Sequence, residues 1–444
     1  MPNLPTQEPL NQTQVDHLEL ASTQIEPRTA KLFSLAFAFV LFAVPVSQAV
    51  VEVRQSQLPQ ALDVFRPFVT GLRLGGSGDF AGMWTAWREG LKPETLHGYE
   101  DTVEDHSIFQ AFFQPRTQQW LTGWLGAGND KVVLGRDGWM FYLPGLDYVV
   151  GPSVADTRTF DRAAQEMVNK GTQASPQPDP RPALLALHRQ ARDAGIHLIV
   201  VPVPDKVMIQ PAQLYSRSGS PQVLPVANNA GYQQLAAEMR AAGVDWFDPA
   251  PQQVRADDIR YLAQDTHWTP DYMDAVARDV AAHLHQTGLL SSAPVPLRLA
   301  PQTVSRVGDL VDLLKLPKDQ QLFGPQTITT QQVIDERSGQ PVASDRGAEA
   351  LLLGDSFTNI YSAQGMGWGT GAGFGQHLAY HLQRPIDVIA FNGGAASVRT
   401  ELARKPNAAR LGFKKVIVYA FAIRSLLLEH WEPVSIVTPE RPVR

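Results

Sequence analysis

Four short stretches, HLIVVPVP (197–204), ALLLGD (350–355), IDVIAFN (386–392) and KKVIVYAFA (414–422), are apolar almost throughout instead of alternating. A strand that shows apolar side chains on both sides has to be covered on both faces, the situation of a parallel sheet layered between helices. Segments with helical spacing separate these stretches, so the chain reads as an α/β protein built on a central parallel sheet. VDWFD (244–248) reads as a further strand, and helices are expected over 183–194, 229–242, 374–383 and near 396–404. The clearest helix starts at Pro270, where proline suits a first turn and Tyr272, Val276, Val280 and Leu284 recur every four residues. KVVLGRDGWMFYLPG (131–145) has the pattern of a β-hairpin around a Gly-Arg-Asp-Gly turn. GTQASPQPDPRP (171–182) reads as a proline-rich linker between two helices, and residues 300–345, polar and irregular apart from GDLVDLLKLP, as an insertion.

Ligands of such sheets bind beyond the carboxyl ends of the strands. ALLLGD ends there and runs into Ser356. A serine at a strand-to-helix turn is equally at home as a helix cap and as a nucleophile, since backbone N–H groups near a helix start also stabilise an oxyanion. A nucleophilic serine needs a base, usually a histidine held in one tautomer by a carboxylate. Asp265 and His267 in AQDTHWTPDY are two residues apart, so in an extended loop they point to the same side. The competing reading makes Asp265 a turn cap and His267 an ordinary core imidazole. Gly354, Asn392 and Gly393 are the candidate oxyanion residues, with a plain glycine turn as an equal reading of the last two. Trp268, Tyr361, Trp368 and Arg424 are the candidate substrate-binding residues, the aromatics through exposed rings stacked on a sugar, with core packing as the alternative for each.

Two other patterns carry less. His377 and His381 stand at i and i+4 on a helix, a metal-compatible spacing, yet no glutamate follows the first histidine; a helix surface is expected, and no metal. GMGWGTGAGFG (365–375) follows no strand directly, as a dinucleotide fingerprint must, and reads as a mobile loop around Trp368. With no cysteine among 444 residues, disulfides and thiolate metal sites are excluded. A formal net charge of −6 disfavours nucleic acid as a partner.

Residues 32–51, LFSLAFAFVLFAVPVSQAVV, hold no charge over about the length a helix needs to cross a bilayer. The segment reads as an uncleaved anchor, with a long signal peptide as the alternative. Arg28 and Lys31 before it favour a cytoplasmic N-terminus. The expected organisation is a disordered cytoplasmic tail (1–31), a transmembrane anchor (32–51), a helical and loop-rich linker (52–130), a main domain (131–432) and a short tail (433–444).

GRDGWMFY (135–142), PVPDKVMIQP (202–211), DTHWT (265–269), VGDLVDLL (307–314) and GDSFTNIY (354–361) occur in an order that resembles the alginate O-acetyltransferases of the AlgJ/AlgX type. These belong to the SGNH hydrolase-like superfamily, and the resemblance covers roughly residues 120–430. It implies a flavodoxin-like three-layer sandwich behind an N-terminal transmembrane helix, with Ser356 as nucleophile, His267 as general base and Asp265 as its orienting carboxylate. It also implies a periplasmic domain, held at the inner membrane by one span, that needs no cofactor and acetylates hydroxyls of an exopolysaccharide. A membrane-bound O-acyltransferase would supply the acetyl groups. No carbohydrate-binding module is evident after the last strand, so alginate, cellulose and other polymers stay open as acceptors. An acetylesterase with the same triad and a non-catalytic polysaccharide-binding scaffold are the alternatives.

Overall fold

A computed structural model of the chain describes residues 27–55, 84–85, 88, 107–169, 175–215 and 223–436. Two compact units are distinguished, Met1–Phe113 and Gln114–Arg444. In the first, the uncharged segment lies within a 28-residue helix, α1 (Pro27–Arg54), on which Leu32, Phe33, Phe37 and Phe42 are exposed. Among the described residues, which leave out the side chains of Val40, Leu41, Val44 and Pro45, no helix is long and apolar enough to cross a membrane. The expected N-terminal tail and linker, and residues 437–444 of the C-terminal tail, fall largely outside the described residues. Helix α2 (Ile108–Leu125) runs across the division between the units.

The second unit opens with the expected hairpin: β1 (Val132–Leu134) pairs antiparallel with β2 (Met140–Tyr142). Asp137 and Gly138 both take positive φ, which is why an Asp-Gly pair serves at this turn. Helix α3 (Pro180–Asp193) follows, capped by Asp179, whose carboxylate accepts the Arg181 N–H. Then come β3 (His197–Val203), β4 (Val223–Pro225), α4 (Tyr232–Ala241), β5 (Asp245–Trp246) and β6 (Gln253–Arg255). Helix α5 (Pro270–Thr287) has Thr269 as its N-cap and ends at Gly288, which takes the left-handed conformation with φ 64°.

After α5 the chain departs from the expected irregular insertion. Residues 300–345 contribute most of a long antiparallel ladder, β7 (Leu297–Arg306) on β8 (Gln326–Asp335), ten residues to a strand. Side chains alternate between half-buried and exposed along much of β7, as in a sheet that packs on one face and meets water on the other. Such a strand carries few apolar residues, so its composition resembles that of a loop.

The last elements are β9 (Ala350–Gly354), α6 (Phe374–Leu382), β10 (Ile386–Ala390) and β11 (Val416–Ala422). The helix expected near 396–404 is present as a 3-10 helix, Ser397–Ala403. The main sheet has the order β10-β9-β11-β3-β5 with every neighbour parallel. Every residue of β9 and β11 is buried, the property their unbroken apolar runs announced. Leu351, Leu352 and Leu353 have no exposed surface, and each contributes about 2 kcal/mol by leaving water. The strands of the sheet all end on one side. There the loop after β9 meets the segments that follow β3 and β6.

Candidate active site

Ser356 stands at the first position of a one-turn helix, Ser356–Asn359, directly after β9. The cap of that helix is Asp355, not Ser356. The Asp355 carboxylate accepts the Phe357 N–H at 2.9 Å and the Ala422 N–H, at the end of β11, at 2.7 Å. Burial pushes the Asp355 pKa up, against those two donors. With capping done by its neighbour, the half-buried Ser356 keeps its hydroxyl for other work. Gly354 is obligatory for packing: a Cβ there would lie 2.0 Å from Thr358 Oγ1.

Asp265 and His267 lie in a loop closed by a bridge between Tyr261 and Trp268. The Tyr261 hydroxyl donates to the Pro204 carbonyl, just past the end of β3, and so ties the loop to the sheet's carboxyl side. His267 Nδ1 lies 2.6 Å from Asp265 Oδ1, both side chains being buried. Asp265 Oδ2 accepts the Trp368 indole N–H at 2.8 Å and the Asp309 N–H at 3.1 Å. Burial opposes charge on Asp265, but hydrogen bonds from His267, Asp309 and Trp368 win and bring its pKa down to about 2. For His267, burial favours the neutral ring; the Asp265 carboxylate outweighs it and raises the pKa. Since Asp265 holds the proton on Nδ1, the Nε2 lone pair is the basic one, and Nε2 is buried without a hydrogen-bond partner. The Phe357 ring, next in chain to Ser356, packs 4.9 Å from the His267 ring.

Three further residues build the site and were not singled out from the sequence. Asp309 Oδ1 accepts the Thr266 N–H at 2.7 Å, and its Oδ2 lies 3.8 Å from His267 Nδ1. Burial and the neighbouring Asp265 charge raise its pKa. Lys206 is buried and donates to the carbonyls of Met140, Ala263 and Asp265, three acceptors for the three protons of an ammonium. Burial lowers its pKa to about 7, partly countered by Asp265 and Asp309. The third is Asp355. All three sit within the short motifs PVPDK, VGDL and GDSF, but a lone Lys or Asp announces no partner until the loops are folded together.

The expectation for the aromatic residues is corrected. Trp268, Tyr361 and Trp368 have no exposed surface, so none offers a face to a sugar. Trp368 binds Asp265, the Tyr361 hydroxyl donates to the Trp268 carbonyl at 2.6 Å, and Trp268 packs against Phe357 and Phe374. They form the wall that holds the Asp-His pair. The glycine-rich segment turns through positive φ at Gly367, Gly369 and Gly371 to deliver Trp368 inward.

Arg424 is engaged by Asp205 and lies over the rings of Tyr142 and Phe357, 5.2 and 5.7 Å from their centroids. Of the oxyanion candidates, Gly354 is buried in the sheet and its carbonyl accepts the Phe391 N–H. Asn392 is exposed, held by Asn359 at 2.9 Å, and Gly393, with φ 69°, is also exposed. His377 is not on a helix surface as expected but is buried, where α6 meets α5.

Residues 132–421 match a family model described as SGNH hydrolase-like domain, acetyltransferase AlgX. The chain is 28% identical over 241 residues to a "Probable alginate O-acetylase AlgJ" of Pseudomonas aeruginosa, an alignment covering 52% of this chain and 53% of that protein. A protein of the same name from Pseudomonas syringae pv. tomato is 27% identical over 239 residues, covering 52% of each. The chain thus spans about half the length of these curated relatives. Among solved structures, the "O-Acetyltransferase Domain of Pseudomonas putida AlgJ" aligns with a TM-score of 0.49 and 21% identity, over 67% of this chain and 93% of that one.

Proposed function

This chain belongs to the family of SGNH hydrolase-like acetyltransferase domains typified by AlgX, and on that premise we propose that it transfers acetyl groups to hydroxyls of an exopolysaccharide, alginate or a similar polymer, in the periplasm. Ser356 is the nucleophile, His267 the general base and Asp265 the carboxylate that orients it. Ser356 Oγ attacks the acetyl carbonyl carbon while its proton passes to His267 Nε2, and that proton then goes to the departing oxygen of the donor. The acetyl-serine so formed is attacked by a sugar hydroxyl, whose proton passes to Nε2 and from there back to Ser356 Oγ. Exposed Asn392 and Gly393 are the oxyanion residues in this reading, stabilising the negative oxygen in both steps.

The observation that carries the reading is the buried imidazole of His267, with Nδ1 held by Asp265 and Nε2 left without a partner beside Phe357. A merely structural histidine at this depth would have both nitrogens paired. Anchoring through α1 at the inner membrane, and acetyl supply by a membrane-bound O-acyltransferase, complete the proposal. The exposed apolar side chains of α1 support the anchor.

Ser356→Ala is expected to abolish both acetyl transfer to oligosaccharide, read as the mass gain of an acetyl group, and release of acetate from an ester donor. Full activity of that variant refutes the mechanism. Acetate release by the parent protein without any mass gain on any offered oligosaccharide would make it an esterase.

A further inference from the structure

Helix α6 carries His377 and His381 one turn apart, and Asp274 of α5 stands opposite them. We propose that Asp274, His377 and His381 bind one divalent cation of the zinc class, which clamps α5 to α6.

Three donor atoms from three residues converge: Asp274 Oδ1 lies 2.6 Å from His377 Nδ1 and 2.6 Å from His381 Nε2, and all three atoms lie within 4.8 Å of one another. The missing glutamate that spoke against metal binding in the sequence is replaced by a carboxylate from another helix. The other ring nitrogen of His377 decides the chemistry. His377 Nε2 lies 2.9 Å from the Gln331 carbonyl on β8, which can only accept, so Nε2 carries a proton. With Nε2 used as a donor, Nδ1 is the nitrogen left facing the Asp274 carboxylate, a contact that a second ring proton or a metal ion would satisfy; the metal ion would engage His381 Nε2 and the same carboxylate oxygen at once. A backbone carbonyl on the far nitrogen is also the usual outer partner of a metal-bound histidine.

Two imidazoles and one carboxylate suit zinc and similar ions, whereas magnesium and calcium prefer oxygen donors alone. Bonds of about 2.0–2.2 Å to such an ion set the donors roughly 3.3 Å apart, an opening that small side-chain rotations supply. The His377 side chain is 2% exposed, His381 17% and Asp274 31%, so an ion reaches the site from solvent on the Asp274 side. That leaves one coordination position for water.

The placement gives the ion a structural purpose. Helix α5 begins at Pro270, three residues after His267, and α6 begins directly after the loop that carries Trp368 to Asp265. Phe374, the first residue of α6, packs 5.4 Å from Trp268. A clamp between the helices therefore braces the two segments that hold the Asp265–His267 pair from either side.

The test uses the full chain without a polyhistidine tag, stripped with chelator and titrated with cobalt(II). One equivalent is expected to give the visible absorption of a four-coordinate cobalt–imidazole site, displaced by zinc, and zinc is expected to raise the midpoint of thermal unfolding. His381→Ala and Asp274→Asn, both at partly exposed positions, should weaken binding by more than about tenfold and lose the zinc-dependent rise in midpoint. His285→Ala, on α5 and exposed, should bind as the parent does. Absence of a saturable cobalt spectrum in the parent, or equal affinity in His381→Ala and parent, overturns the proposal. These readouts do not depend on acetyl transfer, so failure here leaves the serine mechanism untouched.

Discussion

Replacing Asp265 by asparagine turns one oxygen of a buried carboxylate into an amino group, and the neighbours decide which one. The Oδ2 position receives two donors, the Trp368 indole N–H at 2.8 Å and the Asp309 backbone N–H at 3.1 Å, so the amide oxygen has to stay there. The amino group then faces His267 Nδ1 at 2.6 Å and the His267 backbone N–H at 3.2 Å. To accept from it, His267 must move its proton from Nδ1 to Nε2, which removes the lone pair proposed to take the serine proton. In a serine-histidine-aspartate triad this wrong tautomer costs about 10⁴-fold in rate, or about 5.4 kcal/mol of barrier. Stability falls as well: a charged hydrogen bond is lost and an amino group is set against an N–H, together about 2–4 kcal/mol. The assay is hydrolysis of an aryl acetate at pH 7.5 beside transfer to oligosaccharide, with circular dichroism to show that the variant folds. A folded Asp265→Asn protein within tenfold of parent activity would refute the assignment of His267 as base.

The remaining predictions concern the same cluster. The proposed base, His267, would act only when neutral, and Asp265 raises its pKa, so activity should climb with pH through a midpoint above about 6.5; a flat profile from about pH 5 to 8 contradicts this. Raised in the fold, His267 adds stability that is complete below about pH 6.5 and lost as pH rises through its folded pKa, while Asp265, depressed to about 2, adds stability above about pH 4 that disappears as pH falls towards 2. Urea unfolding across that range should therefore be weaker at both ends. Gly354→Ala drives a methyl group to 2.0 Å from Thr358 Oγ1 and should cost about 1–3 kcal/mol, with a loss of activity because the turn holding Ser356 shifts; an unchanged melting midpoint would count against this packing. Lys206→Met keeps the volume but strands the carbonyls of Met140, Ala263 and Asp265, for an expected loss of about 2–4 kcal/mol in denaturant titration. A loss under about 0.5 kcal/mol would mean that water replaces the ammonium.

What the sequence revealed depended on how local the signal was. The strands of the parallel sheet were legible because burial on both faces leaves unbroken apolar runs, as in ALLLG and VIVYAFA. Asp265 and His267 were legible because two residues of spacing already sets their mutual geometry. The β7–β8 ladder was hidden, since its water-facing side chains dilute the strand pattern to a loop-like composition. For Trp268, Tyr361 and Trp368 the core reading holds and the exposed one does not; a ring's exposure depends on partners such as Phe357 and Phe374, which no spacing rule supplies. Asp309 and Asp274 were missed for one shared reason. Each meets its histidine across a long stretch of chain, from 267 to 309 and from 274 to 377, and a carboxylate alone in a helix or turn looks like any solvated charge.

The hydrogen bond from Ala422 to the Asp355 carboxylate joins residues 67 apart and bears on the order in which the protein is made. Strand β11 lies between β9 and β3, so the two halves of the sheet share no edge until residues 416–422 have been made. Until then Asp355 lacks one of its two donors, and the turn that presents Ser356 is held by the local Phe357 N–H alone. A chain without β11 thus holds the Ser356 turn by one of these two bonds instead of both. The last strand of the main sheet to emerge is the one that completes both the long-range pairings, which form slowly, and the second hydrogen bond to the carboxylate beside Ser356.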